Sequence, residues 1–222
     1  MSTANDPHAG QPVLALGPAP REARLALILV HGRGASAEDV LGIAQELQLD
    51  DVACLAPQAA GHTWYPYSFL SPIPQNEPGI SSGLAVIEQL VASLAEEGLG
   101  AERIALLGFS QGACLSLEFA ARHARRYAGV FGLSGGLIGP PGTPRDYAGS
   151  SEGTPVFLGC SDVDPHIPLE RVHETAEVFR RLGANVDERI YPRMGHTVNR
   201  DELEAVRAVL SGSSAFKRKD KR

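Results

Sequence analysis

The sequence predicts an α/β fold, a mostly parallel sheet flanked by helices in a single domain. Two observations carry this. Strand-like apolar runs alternate with helix-like amphipathic ones along most of the chain, and two glycine-rich turns, HGRG at 31–34 and GFSQG at 108–112, stand at the ends of such apolar runs. A length of 222 residues suffices for one substantial core, and no stretch reads as a seam between two.

Taken in order, residues 13–16 read as a weak edge strand. Residues 24–30 form a continuous apolar run suited to a strand buried on both faces. Ser36 followed by Glu38 and Asp39 marks a helix start, with Val40, Leu41, Ile43, Ala44 and Leu47 at helical spacing behind it. Residues 51–57 follow as a strand, 82–97 as an amphipathic helix ending at Gly98, and 103–107 as a strand. The next helix spans 111–122. Short strands at 128–133 and 155–160 precede a helix at 169–182 stopped by Gly183, and a strand at 186–191 and a helix from 201 to 210 complete the pattern. Two segments break the rhythm, 61–83 and 135–154, and long irregular loops in a compact domain tend to be functional. The expected organisation is a flexible segment or edge strand over 1–22, one folded domain over 23–211, and a basic, disordered tail over 212–222.

Composition narrows the function. The longest purely apolar run, residues 25–30, is too short to span a bilayer, and the first residues carry no secretory or transit pattern, so a cytoplasmic location is expected. Cys54, Cys114 and Cys160 lie far apart without a CxxC pair, which predicts buried, reduced thiols rather than a disulfide framework or zinc site. A net charge of −6 disfavours nucleic-acid binding. The expected partner is a small-molecule ester, with no cofactor; a homodimer stays open.

The chemistry gathers around GFSQG. It follows a strand and opens a helix, the context in which a serine on a strained turn projects its hydroxyl into a cleft. Gly108 and Gly112 let neighbouring backbone approach, and the helix N-terminus aims the Gln111 N–H at developing negative charge. A hydroxyl needs a base near neutral pKa. His196, in YPRMGHTV, is the only histidine late enough to follow an acid at a strand end; His8, His31 and His62 precede Ser110, and His123 and His173 fall on helices. The acid belongs on the loop after the strand at 155–160, where Asp162 and Asp164 compete. Asp164 is preferred because Pro165 fixes the chain beyond it, while Asp162 is better placed to brace the turn. The run Asp162, Asp164, His166 also admits a hard-cation reading, which further spaced carboxylates would have to support and do not. At HGRG the Arg33 N–H is the expected second oxyanion donor, with His31 bracing the loop. Trp64 and Tyr65, in the aromatic loop 63–69, together with His31, are candidate substrate contacts, although capping of the core explains the aromatics as well.

With these residues assembled, the chain resembles the phospholipase/carboxylesterase family of α/β-hydrolases over about residues 24–210. The resemblance rests on LVHGRGASAED, LAPQ, GFSQG, DPHIP and YPRMGH. It implies a Ser110–Asp164–His196 triad, an oxyanion hole from the Arg33 and Gln111 amides, and cleavage of ester or thioester bonds. Members acting on acylated proteins usually carry leucine where Arg33 stands, TrpPheAsp where this chain has Trp64, Tyr65 and Pro66, and HisGly where it reads GlyCysSer at 159–161. These departures count against a protein depalmitoylase. Two other readings remain: a dienelactone-hydrolase-like enzyme, with Arg33 attracting a substrate carboxylate, and a catalytically idle binding module on the same fold.

Overall fold

The computed structural model describes residues 6–212. Seven strands form one sheet: β1 (Val13–Leu16), β2 (Leu25–Val30), β3 (Val52–Pro57), β4 (Ile104–Phe109), β5 (Gly129–Leu133), β6 (Pro155–Ser161) and β7 (Asn185–Tyr191). Their spatial order is β1-β3-β2-β4-β5-β6-β7; β1 runs antiparallel to β3 and all other neighbours are parallel. Five helices cover it: α1 (Ala37–Leu47), α2 (Gly79–Glu96), α3 (Gln111–Arg122), α4 (Leu169–Arg181) and α5 (Arg200–Leu210).

Strand periodicity explains the layering. Successive side chains point to opposite faces, so alternate positions of one strand feed two cores. Ala26, Ile28 and Val30 pack with α2, α3 and α4 on one face. Leu25, Leu27 and Leu29 pack with α1 and α5 on the other. A strand apolar at every position is therefore the expected centre of a three-layer fold, and β2 is buried throughout. Helix starts follow their local chemistry: Ser36 and Asp39 close a capping box on α1, as do Asn199 and Glu202 on α5.

One expectation changes, and two segments gain detail. Helix α2 starts at Gly79, one turn earlier than its apolar periodicity indicated, because a Cβ there would lie 2.4 Å from the Trp64 carbonyl and glycine alone permits the approach. Of the flexible segment or edge strand expected over 1–22, residues 13–16 form the edge strand β1, and one residue ahead of it is anchored. His8 is buried, accepting from Ala60 N–H through Nδ1 and donating through Nε2 to the Trp64 carbonyl, while its own N–H reaches Ser82 Oγ. Segment 135–154 is strapped down at its first half, as Arg171 Nη1 donates to the Leu137 and Gly139 carbonyls and Glu118 accepts from Ile138 N–H. The basic tail expected over 212–222 lies, from residue 213, outside the described residues. Among the described residues, no helix is long and apolar enough to cross a membrane. All three cysteines are free and buried, and burial pushes the Cys54 thiol up to about 11.

Candidate active site

Ser110 links β4 to α3 with φ 55° and ψ −119°, a left-handed conformation that a serine adopts only when its surroundings impose it. Two glycines impose it. A Cβ on Gly108 would lie 2.2 Å from the Gly112 carbonyl, and one on Gly112 would lie 2.0 Å from the Val30 carbonyl. These contacts press the start of α3 against the end of β2, and the Ser110 N–H is fixed to the Leu133 carbonyl at 2.9 Å.

The loops after β6 and β7 bring the other residues in. His196 Nε2 lies 2.8 Å from Ser110 Oγ, and His196 Nδ1 lies 2.7 Å from Asp164 Oδ2. Asp164 is fully buried as a side chain; its Oδ1 accepts from the His166 and Ile167 N–H groups at 2.8 and 3.1 Å. Burial alone would raise its pKa, but the bonds from His196 and these two amides outweigh it and hold the carboxyl below its ordinary value. A carboxylate accepting at Nδ1 leaves Nε2 free to accept the Ser110 proton. Asp162 is engaged elsewhere, taking the Arg193 N–H at 2.7 Å. The alternating run Asp162, Asp164, His166 thus dissolves into separate jobs, and among the described residues no three His, Cys, Asp or Glu side chains are grouped to hold a metal.

HGRG meets the same point. Gly32 sits so close that a Cβ would be 3.4 Å from the Ser110 Cβ, which brings the following residue, Arg33, to the serine. Among the described residues neither the Arg33 nor the Gln111 N–H donates a hydrogen bond. His31 has 1% of its surface exposed. Its Nε2 accepts from Ala59 N–H at 3.0 Å, so Nδ1 carries the hydrogen donated to the Gly32 carbonyl at 2.8 Å. Burial lowers its pKa, against the raising effect of that carbonyl.

A cleft of about 500 Å³ opens over Ser110 and His196, lined also by Arg33, Tyr65, Tyr67, Phe69, His166 and Ile167. Of the three candidate substrate contacts, Tyr65 lines it; Trp64 and His31 do not and stand behind it. The Trp64 indole N–H donates to the His31 carbonyl at 2.9 Å, which makes both residues supports of the HGRG turn. Segment 135–154 contributes nothing to the lining. Sequence reading missed the Gln111 side chain, whose Oε1 accepts from Trp64 N–H and whose Nε2 donates to the Tyr65 carbonyl, clamping the aromatic loop to α3. His166, which the sequence offered only as a cation ligand, lines the cleft instead, its ring meeting that of His196 edge-on at 4.8 Å.

The family described as phospholipase/carboxylesterase matches residues 17–214. The chain is 32% identical over 141 residues to acyl-protein thioesterase 1 of Gibberella zeae, a match covering 61% of this chain and 59% of that protein. It is 28% identical over 213 residues to acyl-protein thioesterase 1 of Saccharomyces cerevisiae, covering 86% and 93%. The chain spans about three-fifths of the length of several curated relatives that it matches. A crystal structure of a phospholipase/carboxylesterase from Dyadobacter fermentans superposes with a TM-score of 0.88 at 39% identity, covering 91% of this chain and 97% of that one.

Proposed function

The chain belongs to the phospholipase/carboxylesterase family of α/β-hydrolases, and on that premise we propose that it hydrolyses carboxylic ester or thioester bonds through an acyl-enzyme on Ser110. The observation that carries the reading is the unbroken line from Ser110 Oγ through both His196 nitrogens to Asp164.

In this reading Ser110 Oγ attacks the substrate carbonyl carbon as its proton passes to His196 Nε2. Asp164 holds the ring by Nδ1 and stabilises the imidazolium. The carbonyl oxygen, now anionic, takes hydrogen bonds from the Arg33 and Gln111 amides, the latter at the positive end of α3. Collapse breaks the bond to the alcohol or thiol, which leaves with the proton from His196. Water then gives a proton to His196 and attacks the acyl carbon, and Ser110 departs with that proton restored. The substrate is a small ester.

The test is labelling by a fluorophosphonate and turnover of 4-nitrophenyl acetate, with Ser110→Ala alongside. The variant should fold, escape labelling and lose on the order of four to six decades of rate. Undiminished turnover by Ser110→Ala overturns the proposal.

A further inference from the structure

We propose that the cleft selects esters carrying a carboxylate and that the Arg33 guanidinium makes the selection; this rests on the hydrolase reading above and deepens it. The charge of the cleft is the first support. Among the described residues its lining holds the Arg33 guanidinium and no aspartate or glutamate, on a chain whose net charge is −6. The nearest acid, Asp164, is buried behind His196 and turned to its Nδ1. A cleft of one sign with low-dielectric walls concentrates ligands of the other sign.

The second support is how Arg33 is held. Nη1 donates to Thr63 Oγ1 at 3.0 Å and to the Pro66 carbonyl at 2.8 Å, and Nη2 donates to the Tyr67 carbonyl at 2.6 Å. The guanidinium also lies 5.9 Å from the centre of the Tyr65 ring. Every one of these partners is neutral. Arg145, Arg171 and Arg189, by contrast, are each paired with a carboxylate, whereas among the described residues Arg33 has no acidic partner. Three of its five N–H bonds are used, leaving Nε–H and one Nη2 hydrogen. Guanidinium donors of this kind match a carboxylate, and a side chain already fixed by its protein bonds loses little further freedom on binding one.

The third support is proximity. Arg33 directly follows Gly32, where an added Cβ would lie 3.4 Å from the Ser110 Cβ, and its own amide is the proposed oxyanion donor. Arg33 and Ser110 line the same cleft, so a carboxylate on an ester bound at Ser110 shares that cleft with the cation. A neutral isostere gains nothing from it.

Two pairs of esters, each differing in one carboxylate, test this on the full chain. Charge on the acyl side is compared in 4-nitrophenyl hydrogen glutarate and 4-nitrophenyl pentanoate, and charge on the leaving group in 4-acetoxybenzoate and its methyl ester. The readout is the anionic-to-neutral ratio of kcat/KM, in which any general loss of rate cancels. We expect a ratio of about 10- to 100-fold in at least one pair, and that pair identifies the side that Arg33 contacts. The ratio should fall to about one in Arg33→Gln, stay intermediate in Arg33→Lys, and in the wild type shrink as sodium chloride is raised. A preference of the wild type for the neutral member of both pairs overturns the proposal, as does an unchanged ratio in Arg33→Gln. Ser110-dependent cleavage without charge preference removes the selectivity alone; absence of Ser110-dependent cleavage on all four esters removes the hydrolase reading with it.

Discussion

Asp162 Oδ1 accepts the Arg193 N–H at 2.7 Å, tying the loop that carries Asp164 to the loop that carries His196. Arg193 sits at φ 55°, so this bond stabilises a turn that the backbone alone disfavours. The two acids that the sequence set in competition therefore divide the work: one holds the imidazole, the other holds the loop that delivers it.

Asp162→Ala should slow ester turnover mainly through kcat, by about tenfold, because a small misplacement of the base is costly while the cleft walls stay in place. Asp162→Asn keeps an acceptor oxygen and should recover most of the loss. Equal defects in both variants, or a defect confined to KM, would count against the tie. Steady-state kinetics on one neutral ester decides.

Gly112→Ala should cost at least about 2 kcal/mol and abolish fluorophosphonate labelling, because its Cβ would meet the Val30 and His31 carbonyls at 2.0 and 2.6 Å and backbone cannot rotate aside. Gly42→Ala is the contrasting case. Gly42 lies inside α1 with nothing within 4 Å of the added Cβ, so the change should stabilise by about 0.5–1 kcal/mol. Urea unfolding of the two variants measures both effects.

Glu202 predicts an unusual pH dependence. Burial pushes its carboxyl up from 4.5 to about 7, against the opposing bond from Asn199 N–H and with the charge of Asp201 adding to the rise. Among the described residues its Oε1 has no hydrogen-bond partner, and a Cβ on Gly159 would lie 2.1 Å from that atom. A folded-state pKa above the unfolded one gives a stability contribution that is full below 4.5 and lost as pH rises through about 7, an effect bounded at about 3 kcal/mol. His31 has the opposite sign: its lowered pKa makes its contribution full above the ordinary 6.5 and lost as pH falls below it. The stability difference between Glu202→Gln and wild type cancels the His31 effect. That difference should move in favour of the variant from pH 5 to pH 8; parallel curves would refute the assignment.

Arg171→Met should destabilise by about 1–3 kcal/mol, since it strands the Gly139 carbonyl and leaves the Leu137 carbonyl and Glu174 with Arg145 as their remaining cationic partner. Turnover at low temperature should persist, because segment 135–154 lines no part of the cleft. A stable variant that has lost turnover would mean instead that the Arg171 contact with the Phe69 ring shapes the cleft wall. Thermal unfolding and a cold ester assay separate the outcomes.

The layered α/β architecture was legible in the chain because it rests on local rules. Continuous apolar runs such as 25–30 suit a strand covered on both faces, and capping residues such as Ser36 mark a helix start. The strained serine turn was legible for the same reason, since Gly108 and Gly112 are adjacent to it and have no other use at that spacing. What lay beyond reach were contacts between segments far apart in sequence: the Gln111 side chain on the aromatic loop, His8 under Trp64, and the packing of segment 135–154 against α4.

The sequence by itself determined which elements form, where the serine stands and which histidine can serve it, because periodicity, capping and chain order are properties of neighbours. Only the tertiary structure put Asp164 against His196 and Asp162 against Arg193, sent Trp64 and His31 behind the cleft rather than into it, and left the Arg33 cation without an acidic partner among the described residues. Each of those outcomes depends on which distant groups arrive within a few ångströms, and that is set by how the loops close over the sheet.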